Sequence, residues 1–251
     1  MLTKEDGFEL PFHWNFPDAN KYAFAFIALF VFLVVIYSNS YQNDIQFDDK
    51  INIVENKNIF LESLDWNQIK GTFYGVDGKQ INRPLAFLTF GLNFYIHKLD
   101  VFGYHVVNFT IHYLASVFLF LFIYRTLNLP KLRQDYGHIS YSIALLCTVL
   151  WATSPVQVTA VTYIVQRMAS MAGLFYILSM FFYLKGRTAD KTWRIILYWG
   201  LCIVSALMSF GSKENAVLLP ISIWLYDLLL IQGVTRENLI KNVKILAPLV
   251  F

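Results

Sequence analysis

Six stretches of this sequence are apolar over about the length that a helix needs to cross a lipid bilayer. A spanning helix requires roughly 20 residues, and it is favoured there because it satisfies its own backbone hydrogen bonds. Hydrophobic residues make up 57% of the chain and charged residues 15%, whereas soluble domains are about half apolar and a quarter charged. The sequence therefore predicts an all-α polytopic membrane protein. The predicted spans are residues 22–40, 104–124, 139–153, 156–184, 193–210 and 216–231, with a partial seventh beginning near residue 243.

Basic residues in the connections between these spans predict the orientation of the chain. By parity, the three basic connections lie on one side of the membrane, and the positive-inside rule assigns that side to the cytoplasm. Residues 1–21 then form a cytoplasmic N-terminal segment. Residues 22–251 form the transmembrane domain, which we expect to be incomplete at its C-terminus, and residues 41–103 form a large external loop. The basic connections are residues 125–137, 185–194 and 233–244.

The charge and cysteine content exclude several classes of function. A net charge of +3 without a cluster of basic residues does not fit nucleic-acid binding. Cys147 and Cys202 lie within apolar runs and match no disulfide or metal-binding spacing. We therefore expect no metal and no cofactor.

Two features predict how the chain is arranged on the external side. Residues 84–96 are apolar and aromatic with charges at their ends, a pattern typical of a helix lying in the membrane interface, and Pro84 suits its first turn. The third span is short and is followed by Pro155. Residues 154–167 are therefore expected to line an outward-facing cavity, where irregular backbone is tolerated within the membrane.

An acidic doublet, Asp48 and Asp49, follows directly on the first span. Such a pair is often only a solvated loop or a helix cap. Two neighbouring carboxylates can also separate their pKa values or share a proton, and a carboxylate at the membrane surface can act as a general base on an acceptor hydroxyl. Both residues are candidate catalytic residues.

Arg167 is a candidate binding residue because a charge at membrane depth is costly and usually functional. If the fourth helix begins near residue 156, Arg167 lies eleven residues into it. In the alternative, the helix begins later and Arg167 extends its side chain to the membrane surface.

Two further polar groups are candidates for substrate binding. His105, Asn108 and His112 share one face of the second span, where they either bind substrate or hydrogen-bond to other helices. Lys213 and Glu214 precede the sixth span; they form either a salt-bridged turn or a site in which a cation awaits a phosphate.

Five motifs in order carry a resemblance to a known family. The acidic doublet is followed by "NRPLAFLTFGLN", "GYHVVNFTIH", "SPVQVTAVTYIVQR" and "SKENAVLLP". This order resembles the membrane half of the transmembrane and tetratricopeptide-repeat O-mannosyltransferases and their bacterial relatives, within the C-type glycosyltransferase superfamily. The resemblance covers residues 40–230.

The resemblance implies a multi-span enzyme that uses a polyprenyl-phosphate sugar donor at the external face. It implies that Asp48 or Asp49 deprotonates a hydroxyl of a protein or glycan acceptor. It also implies that cations stabilise the departing lipid phosphate, and the candidates for this role are Arg83, Arg167 and Lys213. The expected partners are this donor, the acceptor and membrane lipids. We favour the bacterial inner membrane as the location, with the endoplasmic reticulum membrane as the other option.

Two departures from the family pattern support a second hypothesis. This chain has Ser154 where the family has His, and Thr159 where the family has Glu. Both changes remove an ionisable group from the expected cavity. The alternative function is therefore a catalytically inactive subunit that packs with other membrane subunits. A transporter or channel fits less well. Such proteins carry charged residues inside several spans or contain a pair of discontinuous helices, whereas this chain has essentially one deep charge, Arg167.

Overall fold

The computed structural model describes residues 18–242, which form a helical bundle without β-strands in that range. Most of the helices are long and apolar, since the bilayer offers the backbone no other hydrogen-bond partners. The predicted all-α polytopic class is confirmed, and the chain is an integral, multi-pass membrane protein. The helices are α1 (Asp18–Tyr37), α2 (Trp66–Thr72), α3 (Pro84–His97), α4 (Val101–Leu127), α5 (Arg133–Tyr136), α6 (Ser140–Ala152), α7 (Pro155–Thr162), α8 (Arg167–Arg187), α9 (Thr192–Phe210) and α10 (Leu219–Tyr226).

Five helical segments are long and apolar enough to cross a membrane, and a sixth crossing is available if one bent pair counts as a span. That pair, Arg133–Ala152 and Pro155–Thr162, bends by 62°. The predicted number of spans therefore agrees with the structure, while the predicted seventh span lies outside the described residues. The five continuous segments are Asn20–Gln42, Val101–Leu127, Ile164–Arg187, Thr192–Phe210 and Glu214–Gln232.

The predicted start of the fourth span is wrong. Residues 155–162 form the separate helix α7, after which Tyr163 is extended (φ −100°, ψ 115°). A short turn, Ile164–Gln166, then leads into α8. Pro155 cannot donate a hydrogen bond to continue α6, and five of the eight residues of α7 are β-branched, which weakens a helix. Arg167 is consequently the first residue of α8 and does not lie three turns inside a helix.

The connections between the helices gather at two ends of the bundle. At one end, the segment after α1 contacts the α7–α8 turn, where Asp48 N donates to the Tyr163 hydroxyl. At the same end, Leu85 N of α3 donates to the carbonyl of Gly211 after α9. The connections after α4 and α8 meet the residues that follow α10 at the opposite end. Gly233, the first residue of the third basic connection, lies beside Lys131 of the first, so the three basic connections predicted to share one side meet at one end of the bundle.

The predicted helix at residues 84–96 is confirmed as α3, with Pro84 in its first turn. Its inner face packs into an apolar cluster that joins Phe87 and Phe90 to Tyr104 of α4 and Met168 of α8. This packing ties the segment between α1 and α4 to the first turns of α4 and α8. Its location in the membrane interface stays a prediction.

Candidate functional site

Asp49 attaches the segment after α1 to the beginning of α8. Its side chain is buried (1% exposed). Oδ1 accepts a hydrogen bond from Val165 N at 2.7 Å and Oδ2 accepts one from Gln46 N at 3.2 Å. A carboxylate is favoured at this position because the N-terminal end of a helix carries partial positive charge and unpaired N–H groups. Asp49 is therefore an anchor whose two oxygens are both engaged.

Asp48 has the opposite environment, because its side chain is exposed. Its backbone N–H donates to the Tyr163 hydroxyl at 2.8 Å, and its carbonyl accepts from Asn52 Nδ2 at 2.8 Å. The backbone is thus fixed while the carboxylate faces outward. Of the two acids, Asp48 is the one whose carboxylate is exposed at the surface.

Tyr163 is a member of this site that sequence reasoning missed. Burial, together with the nearby carboxylates of Asp48 and Asp49, raises the pKa of Tyr163. The phenol therefore keeps its proton at neutral pH and can donate a hydrogen bond. The only signal in the sequence was its position four residues before Arg167.

Arg167 is completely buried (0% exposed) beneath this surface. Nε donates to Asn108 Oδ1 at 2.7 Å, while Nη1 and Nη2 donate to the carbonyls of Thr89 (3.3 Å) and Tyr104 (2.9 Å). The guanidinium also lies over the rings of Phe90 and Tyr104, at 4.7 and 5.5 Å from their centroids. Within residues 18–242, no carboxylate lies within 4 Å of it. Arg167 therefore neither extends to the membrane surface nor opens into a cavity in this conformation.

Asn108 connects Arg167 to the turn that holds Asp49. Its Oδ1 accepts from the guanidinium, and its Nδ2 donates to the carbonyls of Tyr163 and Ile164 at 3.3 and 3.2 Å. Since Asp49 accepts from Val165 N in the same turn, a continuous set of hydrogen bonds runs from the acidic doublet to Arg167. This network fixes the position of Asp48.

The two histidines of the predicted stripe are buried against backbone. His105 Nε2 donates to the carbonyl of Asn43 at 3.0 Å, and His112 Nε2 donates to that of Ala152 at 2.9 Å. The His105 Nδ1 atom is buried and has no partner among the described residues. The His112 ring also stacks on the ring of Trp151, with 5.2 Å between the ring centroids. Both histidines join helices and loops in this conformation, and their role in substrate binding stays a prediction.

Glu214 forms an ion pair with Arg83 and not with its neighbour Lys213. Arg83 Nη2 lies 2.6 Å from Glu214 Oε1, and Arg83 Nη1 lies 3.2 Å from the sulfur of Met168 in α8. Lys213 is half-buried, and no carboxylate in residues 18–242 lies within 4 Å of its Nζ. The carboxylate of Glu214 compensates Arg83, so Lys213 supplies the uncompensated positive charge.

The structure thus gathers the predicted residues around the beginning of α8. Asp48 and Asp49 contact the turn before it, Arg167 begins it, and Arg83 contacts its second residue. The carbonyls of Thr89 and Tyr104 that hold Arg167 had no signal in the sequence, because backbone acceptors are independent of side-chain type. In residues 18–242, no three His, Cys, Asp or Glu side chains are close enough to hold a metal ion.

Folding changes the titration of Asp49, which gives a testable pH dependence. Burial raises its pKa above the ordinary value of 3.8, against the opposing effect of the hydrogen bonds from Val165 and Gln46. The folded state therefore binds this proton more tightly than the unfolded state. The free energy of unfolding contributed by Asp49 must fall as the pH rises from about 3.8 through the raised pKa.

We expect Asp49→Asn to remove this part of the pH dependence. Thermal unfolding in detergent should be followed for both proteins from about pH 3.5 to 7, with Asp44→Asn as a control because Asp44 is an exposed acid of the same segment. A wild-type stability that rose relative to Asp49→Asn across this window would contradict the assigned direction.

Comparison with curated proteins connects this chain to one group of enzymes. It is 26% identical to protein O-mannosyl-transferase Tmtc3 of Drosophila melanogaster over 242 residues, which cover 86% of this chain and 25% of the relative. It is 30% identical to human protein O-mannosyl-transferase TMTC4 over 168 residues, which cover 63% of this chain and 22% of the relative. It is 29% identical to protein O-mannosyl-transferase tmtc2 of Xenopus laevis, and the match covers 84% of this chain and 24% of the relative. The resemblance predicted from the ordered motifs is confirmed.

This similarity concerns only part of the relatives. The chain spans about a quarter of the length of the curated relatives it matches. No family model matches the chain, and no solved structure matches it significantly.

Proposed function

We propose that this chain acts in the transfer of a sugar from a polyprenyl-phosphate donor to a hydroxyl of a protein or glycan acceptor. The observation that carries this proposal is the exposed carboxylate of Asp48, held by a buried network at the end of the bundle where Arg83 and Lys213 also lie. The names of the relatives support the transfer of mannose to protein. The site is proposed to face the external side of the membrane.

In the proposed reaction, Asp48 takes the proton of the acceptor hydroxyl while the hydroxyl oxygen attacks the anomeric carbon of the donor sugar. A new glycosidic C–O bond forms as the bond between that carbon and the phosphate oxygen breaks, so polyprenyl phosphate leaves. Direct displacement inverts the anomeric configuration. Asp49 is a positioning residue, because both of its oxygens are engaged with backbone N–H groups. Tyr163 is placed to donate a hydrogen bond beside Asp48.

The departing phosphate requires positive charge, and Lys213 is the best placed residue to supply it. Arg83 is already neutralised by Glu214 at 2.6 Å. Arg167 is enclosed by Asn108 and the ring of Phe90, so in this conformation it holds the surrounding helices in place and does not reach the donor phosphate. The predicted contact of Arg167 with phosphate therefore requires a different conformation.

A second candidate function is that of a catalytically inactive membrane subunit. Ser154 is half-buried at the start of α7 and Thr159 is exposed on it, and neither can titrate near neutral pH. The enclosed guanidinium of Arg167 also favours this alternative. Such a subunit would be recovered in a complex with other membrane proteins.

A transfer assay separates the two functions. The full chain in lipid nanodiscs is supplied with radiolabelled polyprenyl-phosphate mannose and a Ser/Thr-containing peptide, and peptide-bound label is measured against empty nanodiscs. Transfer by the lone chain supports the enzyme. Absence of transfer, with copurification of partner proteins in mild detergent, supports the subunit and overturns the enzyme.

Lys213→Gln is expected to lower this transfer rate about tenfold. Removing one buried donor to a developing anion costs on the order of 10²–10³ in rate, and partial exposure of Lys213 to salt and water reduces its contribution. The matched control is Lys70→Gln, which removes the charge of an exposed lysine in α2. Equal losses in the two variants would remove Lys213 from the phosphate site.

A further inference from the structure

A cavity of about 520 Å³ lies at the end of the bundle opposite the acidic doublet. It is lined by Arg125 at the end of α4, Lys131 in the following connection, and Lys185 and Arg187 at the end of α8. Its volume falls within the range of ligand-binding pockets, about 300–1,000 Å³. None of these residues takes part in the proposed sugar transfer.

The basic side chains that line the cavity carry more positive charge than the nearby negative groups neutralise. Arg187 is compensated by the buried carboxylate of Asp227, with Nε 2.7 Å from Oδ1. Arg125, Lys131 and Lys185 have no carboxylate within 4 Å among residues 18–242. The C-terminal ends of α4 and α8 provide partial negative charge equivalent to about one electron in total. That leaves a surplus of about two positive charges around the cavity.

The two lysines of the cavity each lie beside a feature that the fold provides. Gly233 adopts a positive φ of 93°, and a Cβ atom at that residue would lie 2.5 Å from Lys131 Nζ. Lys131 Nζ therefore lies directly beside the backbone of Gly233, and a side chain at residue 233 would displace it. Lys185 Nζ lies 5.1 Å from the ring centroid of Tyr198, which favours a fixed ammonium position.

The other part of the lining is apolar. Leu129, Leu184, Leu230 and Ile231 line the same cavity, so it offers both an anion site and a hydrocarbon surface. It lies where α4 and α8 end, and the headgroups of a bilayer crossed by these two helices are expected at that level. A free phosphate would use only the cations, whereas an anionic phospholipid would use both surfaces.

We propose that this cavity binds the phosphate headgroup of an anionic phospholipid. Basic pockets between spanning helices recognise such headgroups through their lysines and arginines. On the predicted orientation this end faces the cytoplasm. The site is independent of sugar transfer and of the acidic doublet.

Binding should be measured by native mass spectrometry of the full chain in detergent with three probes: short-chain phosphatidylglycerol, short-chain phosphatidylcholine and inorganic phosphate. We expect phosphatidylglycerol to bind most tightly. Arg125→Gln, Lys131→Gln and Lys185→Gln together should weaken its binding on the order of a hundredfold, since each basic residue contributes about fivefold. Lys131→Gln alone, a change in an exposed residue that leaves the helices intact, should weaken it about fivefold.

The matched control removes three exposed lysines from the external segment, Lys57→Gln, Lys70→Gln and Lys79→Gln, with the same change in net charge. It should leave binding unchanged. Equal binding of phosphatidylcholine and phosphatidylglycerol, or equal affinity of the wild type and both cavity variants, would overturn the proposal. Inorganic phosphate that bound as tightly as the lipid would also overturn it, in favour of a soluble phosphate ligand.

Discussion

Replacing Asp48 by Asn is expected to lower sugar transfer by about 10²–10⁴-fold, the usual contribution of a general base. The amide keeps the size of the side chain and cannot accept the acceptor's proton. Because the Asp48 side chain is exposed and its fixed contacts are made by backbone atoms, folding should be nearly unaffected. The transfer assay and thermal unfolding should therefore give different results for this variant.

Asp44→Asn is the matched control for this prediction, because it removes another exposed carboxylate from the same segment. It should keep nearly full activity. Asp49→Asn should act mainly through stability, since its amide group would face a backbone N–H that now donates to a carboxylate oxygen. Full activity of Asp48→Asn in a folded protein would rule out Asp48 as the base.

The spans were predictable because their physical cause lies in the sequence itself. Runs of apolar residues near the length of a bilayer core have few folded alternatives, and basic connections separated by pairs of spans indicated which loops share an end. The start of α8 was not predictable in this way. Residues 156–163 are as apolar as the helix that follows, and the extended Tyr163 and the short turn Ile164–Gln166 separate α7 from α8.

The candidate site was predictable as a set of residues but not as a set of roles. Asp48 and Asp49 are equivalent in the sequence, and packing alone makes one exposed and the other buried. Arg167 was predicted to be a site residue because a charged side chain at membrane depth costs free energy and is usually functional. That its charge is met by Asn108 and by carbonyls, and not by an acid, depends on three helices that come together only in the fold.

Arg167→Ala is expected to destabilise the protein by about 3–5 kcal/mol. It leaves a cavity under the rings of Phe90 and Tyr104, and a large buried side chain typically costs 3–5 kcal/mol when truncated to Ala. It also removes three charge-assisted hydrogen bonds. Thermal unfolding in detergent should show the loss, with Arg194→Ala as the control because that arginine forms an exposed i,i+4 pair with Asp190, which contributes under about 1 kcal/mol.

Arg167→Met separates a structural role from a functional one. Methionine fills much of the same volume, so the remaining cost is chiefly the unpaired Oδ1 of Asn108, about 1–3 kcal/mol. Replacing a buried charge by a well-packed apolar side chain is often tolerated for this reason. If Arg167 only supports the site, the folded Met variant should keep most of the transfer activity. A Met variant that folded normally but lost transfer a hundredfold would instead show that the guanidinium reaches the departing phosphate in an opened conformation.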